Sequence, residues 1–262
     1  MILRAFEPWW SILRYLLVMG ILIWLAGRGA ENLGYNWQWY RVSQVVFSIQ
    51  EGQIQAGPLL NGLLMTLKIS GVSLLLSLVF GLSTAILRLL PSTVGRMAAR
   101  VYLEVVRNIP LLILIFFIYF VVGPLFGLGR FASAVLALSL FEGAYASEIF
   151  RAGIVSIHKG QWEAAYSLGL STWDTYVRVV LPQAVRRIIP PLTGQAISLV
   201  KDSALVSTIA IYDLTMRGQT LVAETFLAFE IWFTVAGMYL LVTVSLSILA
   251  WYLERKLAVK YA

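Results

Sequence analysis

Cysteine is absent from the 262 residues and histidine occurs once. Without thiols there is no disulfide framework, no iron–sulfur cluster and no thiolate zinc site, and one imidazole is too few for a histidine-rich metal centre. Charge is scarce as well: charged residues make up 13% of the chain against 60% hydrophobic, where a globular domain carries about a quarter charged residues. So few charges cannot cover a surface that faces water, and an integral membrane protein is the class that remains. The phosphate loop G-x-x-x-x-G-K-[ST] is also missing, so the chain has no means of that kind to cradle ATP. The sole histidine, His158, falls outside the apolar segments. It reads as a solvated loop residue, which argues against an intramembrane Ser-His hydrolase and against H-E-x-x-H zinc chemistry. The net charge of +7 would suit a nucleic-acid partner only on a soluble basic patch interleaved with aromatics; membrane lipid is the partner expected instead.

What is present is a set of six apolar segments: 12–26, 59–87, 109–128, 131–150, 188–211 and 231–253. The first is short for a span. The others reach or approach the roughly 20 residues needed to cross about 30 Å of hydrocarbon at about 1.5 Å per residue. None alternates in polarity as a barrel strand does, so the expectation is an all-α membrane protein with six transmembrane helices. Lys and Arg are retained on the cytoplasmic side of short loops. With both termini inside, fourteen basic residues fall on the cytoplasmic face, among them Arg88, Arg96, Arg100 and Arg107, and only Arg28, Arg41, Arg130 and Arg217 fall outside. The segment 28–57, with its run Tyr35 to Tyr40 (YNWQWY), reads as an external interfacial loop suited to the headgroup layer. The chain thus divides into an N-terminal helix and external segment (1–58), a core (59–255) and a cytoplasmic tail (256–262).

Between the fourth and fifth segments, 151–187 is far longer than the roughly 2 to 8 residues that neighbouring helices need. Within it QWEAAYSL (161–168) reads as a short amphipathic helix stopped by Gly169. Ser171 followed by Asp174 resembles the capping signature of a second helix. Two short helices around a glycine elbow could lay an apolar face into a groove on a partner.

The residues Glu163, Ala164 and Ala165, then Gly169, Val179, Leu181 and Pro182 resemble the EAA loop of ATP-binding-cassette importer permeases, with Val179 where the family has Ile. The stretches GLLMTLKIS (62–70), YLEVVRNIPL (102–111), AYASEIFRAG (144–153) and LVKDSALVS (199–207) are similar to the polar amino-acid branch. This resemblance covers about residues 60 to 255. It implies a five-helix permease core, here helices two to six, in a bacterial inner membrane. The partners it implies are a second permease subunit, identical or related, two cytoplasmic ATPase subunits and an external or periplasmic amino-acid-binding protein. It places Glu163, Ala164, Ala165, Gly169, Leu181 and Pro182 at the ATPase contact. ATP and Mg would be bound by those ATPases, with no cofactor on this chain.

Four charges inside spans carry the substrate reading, because an intramembrane charge is costly unless it is paired or faces water. Counted from the span ends at about 1.5 Å per residue, Lys68 lies about 13 Å and Glu142 about 16 Å from the outside, and Lys201 about 20 Å from the inside. Lys201 and Glu142 would hold the carboxylate and ammonium of an amino acid, with Asp202 beside Lys201 and Lys68 as a further cation. Glu148, close to Arg151, reads as half of a structural ion pair. Arg107–Pro110 and the closing Glu254, Arg255 and Lys256 are more like glutamate, aspartate and glutamine permeases, so an acidic or amide amino acid is expected. The alternatives are an ion-driven secondary transporter and an importer of basic amino acids.

Overall fold

A computed structural model describes residues 7–32, 34–50 and 53–257, and the tail 258–262, like Arg4, lies outside the described residues. Contacts group the chain into two units, Met1–Tyr40 and Arg41–Ala262. The first holds helix α1 (Glu7–Asn32), whose window Ile12–Gly29 is long and apolar enough to span a bilayer, and then an aromatic turn. In that turn Trp37 stacks on Trp39 with ring centroids 6.0 Å apart, and Tyr35 meets Trp37 edge-on at 5.2 Å.

The second unit opens with α2 (Val42–Val46) and an antiparallel pair, β1 (Phe47–Gln50) and β2 (Gln53–Ala56). The sequence reading expected only a loop here. The period-2 pattern on either side of Glu51-Gly52 is the hairpin signal it passed over. Helices then follow: α3 (Pro58–Leu89), α4 (Thr93–Asn108), α5 (Leu111–Phe117), α6 (Gly123–Phe126) and α7 (Arg130–Val155). After them come α8 (Lys159–Ser167), α9 (Thr172–Asp174), α10 (Leu181–Asp202), α11 (Leu214–Thr225) and α12 (Ala228–Leu257). Of these, α3, α7 and α12 are each long and apolar enough to cross a membrane, and α4 with α5 and α6 passes together as a span bent by 110°.

The bend has a local cause. Pro110 lacks an N–H and pushes Ile109 into extended backbone (φ −103°, ψ 132°), so α4 must end at Asn108. Its start is fixed by Ser92, whose Oγ accepts from Gly95 N at 3.1 Å. From sequence a connection between spans is expected here, and the structure shows a helix.

The centre of the core is the α3–α7 pair. On α3 most buried positions are small, Gly62, Thr66, Ser70, Ser73, Ser77, Gly81, Thr84 and Ala85, with Leu59 and Ile69 the two large ones, while Leu64, Leu75, Val79 and Ile86 are exposed. Large apolar side chains outside and small ones inside is the pattern of a helix solvated by lipid, where close backbone approach stabilises the contact. α7 answers with Ser139, Gly143, Ala146 and Ser147. Ser139 Oγ lies 3.3 Å from Ser73 O, and a Cβ on Gly81 would fall 2.7 Å from Ala146 Cβ. Ile69, Leu138, Ile115 and Leu199 close the cluster on one side.

This packing predicts that Gly81→Leu, which has no room, lowers stability by about 1–3 kcal/mol. Gly71→Leu on the same helix, with nothing within 4 Å, should leave it unchanged. Thermal unfolding of the two purified variants reads the difference, and equal melting would refute the contact.

Candidate functional site

Two regions collect the residues singled out from sequence. The first is the connection after α7. Sequence reading expected a long loop with two separate short helices, but most of it is helix continuous with its neighbours. α7 runs on to Val155, and the second short helix is the start of a long one: α9, a π-helical turn (Thr175–Val180) and α10 follow without a break. Only α8 stands alone. His158 caps it, with Nδ1 accepting from Gly160 N at 3.1 Å, a role the solvated-loop reading missed. Gly169 takes φ +75°, the left-handed conformation that favours glycine. Ser171 caps the next helix through Asp174 N at 3.1 Å.

The resulting bracket is fastened at three places. Trp162 meets Tyr176 edge-on at 5.1 Å, Gln183 Nε2 donates to Gln161 Oε1 at 3.1 Å, and Arg187 donates to Ser156 O at 2.5 Å. Ala165 is buried, whereas Glu163, Ala164, Gly169, Leu181 and Pro182 are exposed. Beside them Tyr166, Leu168 and Trp173 are exposed too, Leu168 to 81% and Trp173 to 76%. Apolar side chains this bare form an exposed apolar patch at the tip of the bracket.

The second region is where α10 ends. Helical geometry gives way after Asp202 to a 3-10 stretch (Ser203–Ile209), and Ala210 then adopts φ 57°. Glu142 on α7 is 1% exposed. One of its carboxylate oxygens accepts from Gln195 Nε2 on α10, and the Asp202 carboxyl also interacts with it. Its other oxygen, Oε1, is buried without a partner. An orphaned buried acceptor is expensive and calls for a donor. Lys201 and Lys68 are both exposed, and no ion pair among the described residues includes either. Lys68 Nζ instead lies 5.4 Å from the Phe131 ring centroid. The structure therefore joins Glu142 to Asp202 and Gln195, not to Lys201. Gln195 carries no charge and lies within the apolar segment 188–211, so a search for charges inside spans passes over it.

Glu148 is held as expected by Arg151 (3.2 Å), and also by Arg88 (2.6 Å) and Arg107 (3.4 Å). One carboxylate thereby links α3, α4 and α7.

Small-residue packing, a broken helix beside a buried carboxylate and a projecting bracket together define a membrane-embedded transport subunit. Residues 77–259 match the family described as binding-protein-dependent transport system inner membrane component, and the chain belongs to that family. Glutamine transport system permease protein GlnP of Escherichia coli K12 is 40% identical over 204 residues, covering 77% of this chain and 93% of that one. L-cystine transport system permease protein TcyB of Bacillus subtilis 168 is 36% identical over 231 residues, covering 87% and 94%. Among solved structures, an amino acid ABC transporter with histidines matches with TM-score 0.72 at 34% identity over 76% of this chain and 94% of that one. The MetNI methionine ABC transporter shares the fold, with TM-score 0.67 at 19% identity over 77% of this chain and 97% of that one. The permease resemblance read from Glu163 to Pro182 is borne out.

Removing the shared carboxylate leaves three guanidiniums facing one another. Glu148→Gln should therefore cost about 1–2 kcal/mol, between exposed and buried ion pairs in magnitude. Thermal unfolding, with Arg151→Gln as the single-pair comparison, checks this; Glu148→Gln melting at or above the Arg151 variant would sink the hub.

Proposed function

We propose that this chain is the permease subunit of an ATP-driven, binding-protein-dependent importer of a polar amino acid in the bacterial cytoplasmic membrane, with glutamine or an acidic amino acid as cargo. It crosses the membrane six times with both termini inside, α10 serving as the fifth span despite its Arg186, Arg187, Lys201 and Asp202. It works with a second permease, identical or related, with two ATPase subunits that bind ATP and Mg, and with an external amino-acid-binding protein. It hydrolyses nothing itself. The names of its relatives and the cytoplasmic bias of its basic residues support this reading, and the bracket around Gly169 is the observation that carries it.

The bracket also supplies a mechanism. ATPase subunits closing on ATP push the exposed faces around Glu163, Leu168 and Trp173 of two permeases together. Because Trp162–Tyr176, Gln161–Gln183 and Ser156–Arg187 fasten the bracket, the push passes into the unbroken helix Thr172–Asp202, about 45 Å long at about 1.5 Å per residue. Its far end carries Gln195 and Asp202, the partners of Glu142. Sliding α10 against α7 remakes that contact, so an inward-open and an outward-open arrangement exchange as two states. Glu142, whose Oε1 is unpartnered, takes the substrate ammonium, while Lys201 and Lys68 supply cations for carboxylates. The meeting of Glu142 with Asp202 favours a second reading, a cationic amino acid.

Two experiments test the proposal in the assembled complex. Gly169→Val strains a left-handed position by about 1 kcal/mol or more and should lower transport and substrate-stimulated ATPase activity together. Gly169→Asn, which tolerates that conformation, should retain most of both, and equal activity of the two variants would refute the elbow. ATP-driven uptake of glutamine, glutamate and arginine into liposomes, for wild type, Glu142→Gln and Lys201→Gln, tests the cargo. Wild-type preference for glutamine or glutamate is expected, with at least one variant losing it. Preference for arginine would favour the cationic reading, and unchanged selectivity in both variants would overturn the site.

A further inference from the structure

Below the substrate region, a cavity of about 320 Å³ opens between the end of α3, α4 and α7. Its walls carry five guanidiniums, from Arg88, Arg96, Arg100, Arg107 and Arg151, against only two carboxylates, Glu104 and Glu148. Glu148 is already shared by Arg88, Arg107 and Arg151. Glu104 accepts from Asn108 Nδ2 at 3.2 Å. Arg96 and Arg100 take part in no ion pair among the described residues. Arginine does not discharge by losing a proton, so this excess positive charge has to be met by an anion or by water.

The shape of α4 narrows the choice of anion. At about 100° per residue, three faces follow one another around it. Ala99, Leu103 and Val106 are buried against the bundle. Arg96, Arg100 and Arg107 form the next strip and line the cavity. Beyond them Val94, Met97, Val101 and Val105 are 80%, 68%, 55% and 51% exposed. A soluble anion needs only the basic strip and gives no reason for a bare aliphatic stripe at its edge. A lipid needs both, because its phosphate and its acyl chains must be met side by side. Basic pockets between membrane helices on the cytoplasmic side suit anionic headgroups, and the Lys and Arg distribution of this chain puts α4 on that side.

We propose that the α3–α4–α7 cavity binds the phosphodiester headgroup of an anionic phospholipid of the inner leaflet, with its acyl chains along Val94, Met97, Val101 and Val105. Arg96 and Arg100 are the principal headgroup ligands. Arg88, Arg107 and Arg151 stay committed to Glu148 and contribute the field around it. Headgroup binding is separate from cargo recognition, so its test reads lipid and not transport.

The full chain, assembled with its partners, is placed in nanodiscs of phosphatidylcholine containing phosphatidylglycerol, and native mass spectrometry reads the lipids retained. Wild type should retain phosphatidylglycerol over phosphatidylcholine. Arg96→Gln with Arg100→Gln should cut that preference by about tenfold to thirtyfold, since each Arg near an anionic surface accounts for roughly a fivefold factor. If the double variant does not assemble, each single variant should show about fivefold. Adding inorganic phosphate distinguishes the two sources of the anion: wild-type retention should not change, and displacement at millimolar phosphate would reassign the cavity to a soluble anion. Because the native chain has no cysteine, Met97→Cys gives a clean probe of the apolar stripe. A disulfide between two copies at that position would hand the stripe to the second permease and overturn the proposal. So would equal retention of the two lipids by wild type, or an unchanged preference in the Arg variants.

Discussion

The close approach of α3 and α7 governs this structure. In lipid there is little gain from burying leucine against leucine, because the tails outside are just as apolar, and helices hold together where their backbones come near. Gly81 against Ala146, and Gly143 against Phe80 and Ser77, give the α3–α7 pair that proximity. Three of the charges inside the apolar segments are carried by this pair. Glu142 sits on α7 one residue before Gly143, Lys68 lies on α3, and Glu148 reaches from α7 to Arg88 at the end of α3. A looser contact would move all three at once.

Against that pair packs one long helix. The helix from Thr172 to Asp202 begins in the bracket and ends at the contact with Glu142, and it contains Pro190 and Pro191. Proline inside a helix removes backbone hydrogen bonds and allows a kink. One helix with a soft point, joined at one end to the exposed bracket and at the other touching a buried carboxylate, connects the two regions. Gly153 lets it seat: Ile188 packs directly on the glycine, where a Cβ would collide with it.

Charge is used sparingly and to two ends. The Glu148 hub binds three elements with a single carboxylate, partly shielded from water, where it is screened less than a surface pair. The arginines on α4 that the hub does not engage point instead to a surface chemistry outside the protein.

How much of this was legible depends on sequence distance. The membrane class followed from composition, the bracket from the Glu163–Pro182 spacing with Gly169 as elbow, and the Arg151–Glu148 pair from three-residue helical spacing, all signals within a turn or a short run of chain. Arg88 and Arg107 lie 60 and 41 residues from Glu148, and Gln195 lies 53 from Glu142. No periodicity carries such pairings, which arise only when α3, α4, α7 and α10 pack. The expectation that Lys201 and Glu142 line one substrate site rested on depth alone, and depth along a span leaves the helix face undecided; packing brings Gln195 and Asp202 to that carboxylate. Composition and local spacing thus determined that this chain lives in a membrane and that it belongs with the importer permeases. Which buried groups meet was decided by tertiary structure, because a contact between helices is fixed by their rotation and approach, and those depend on every small residue between them.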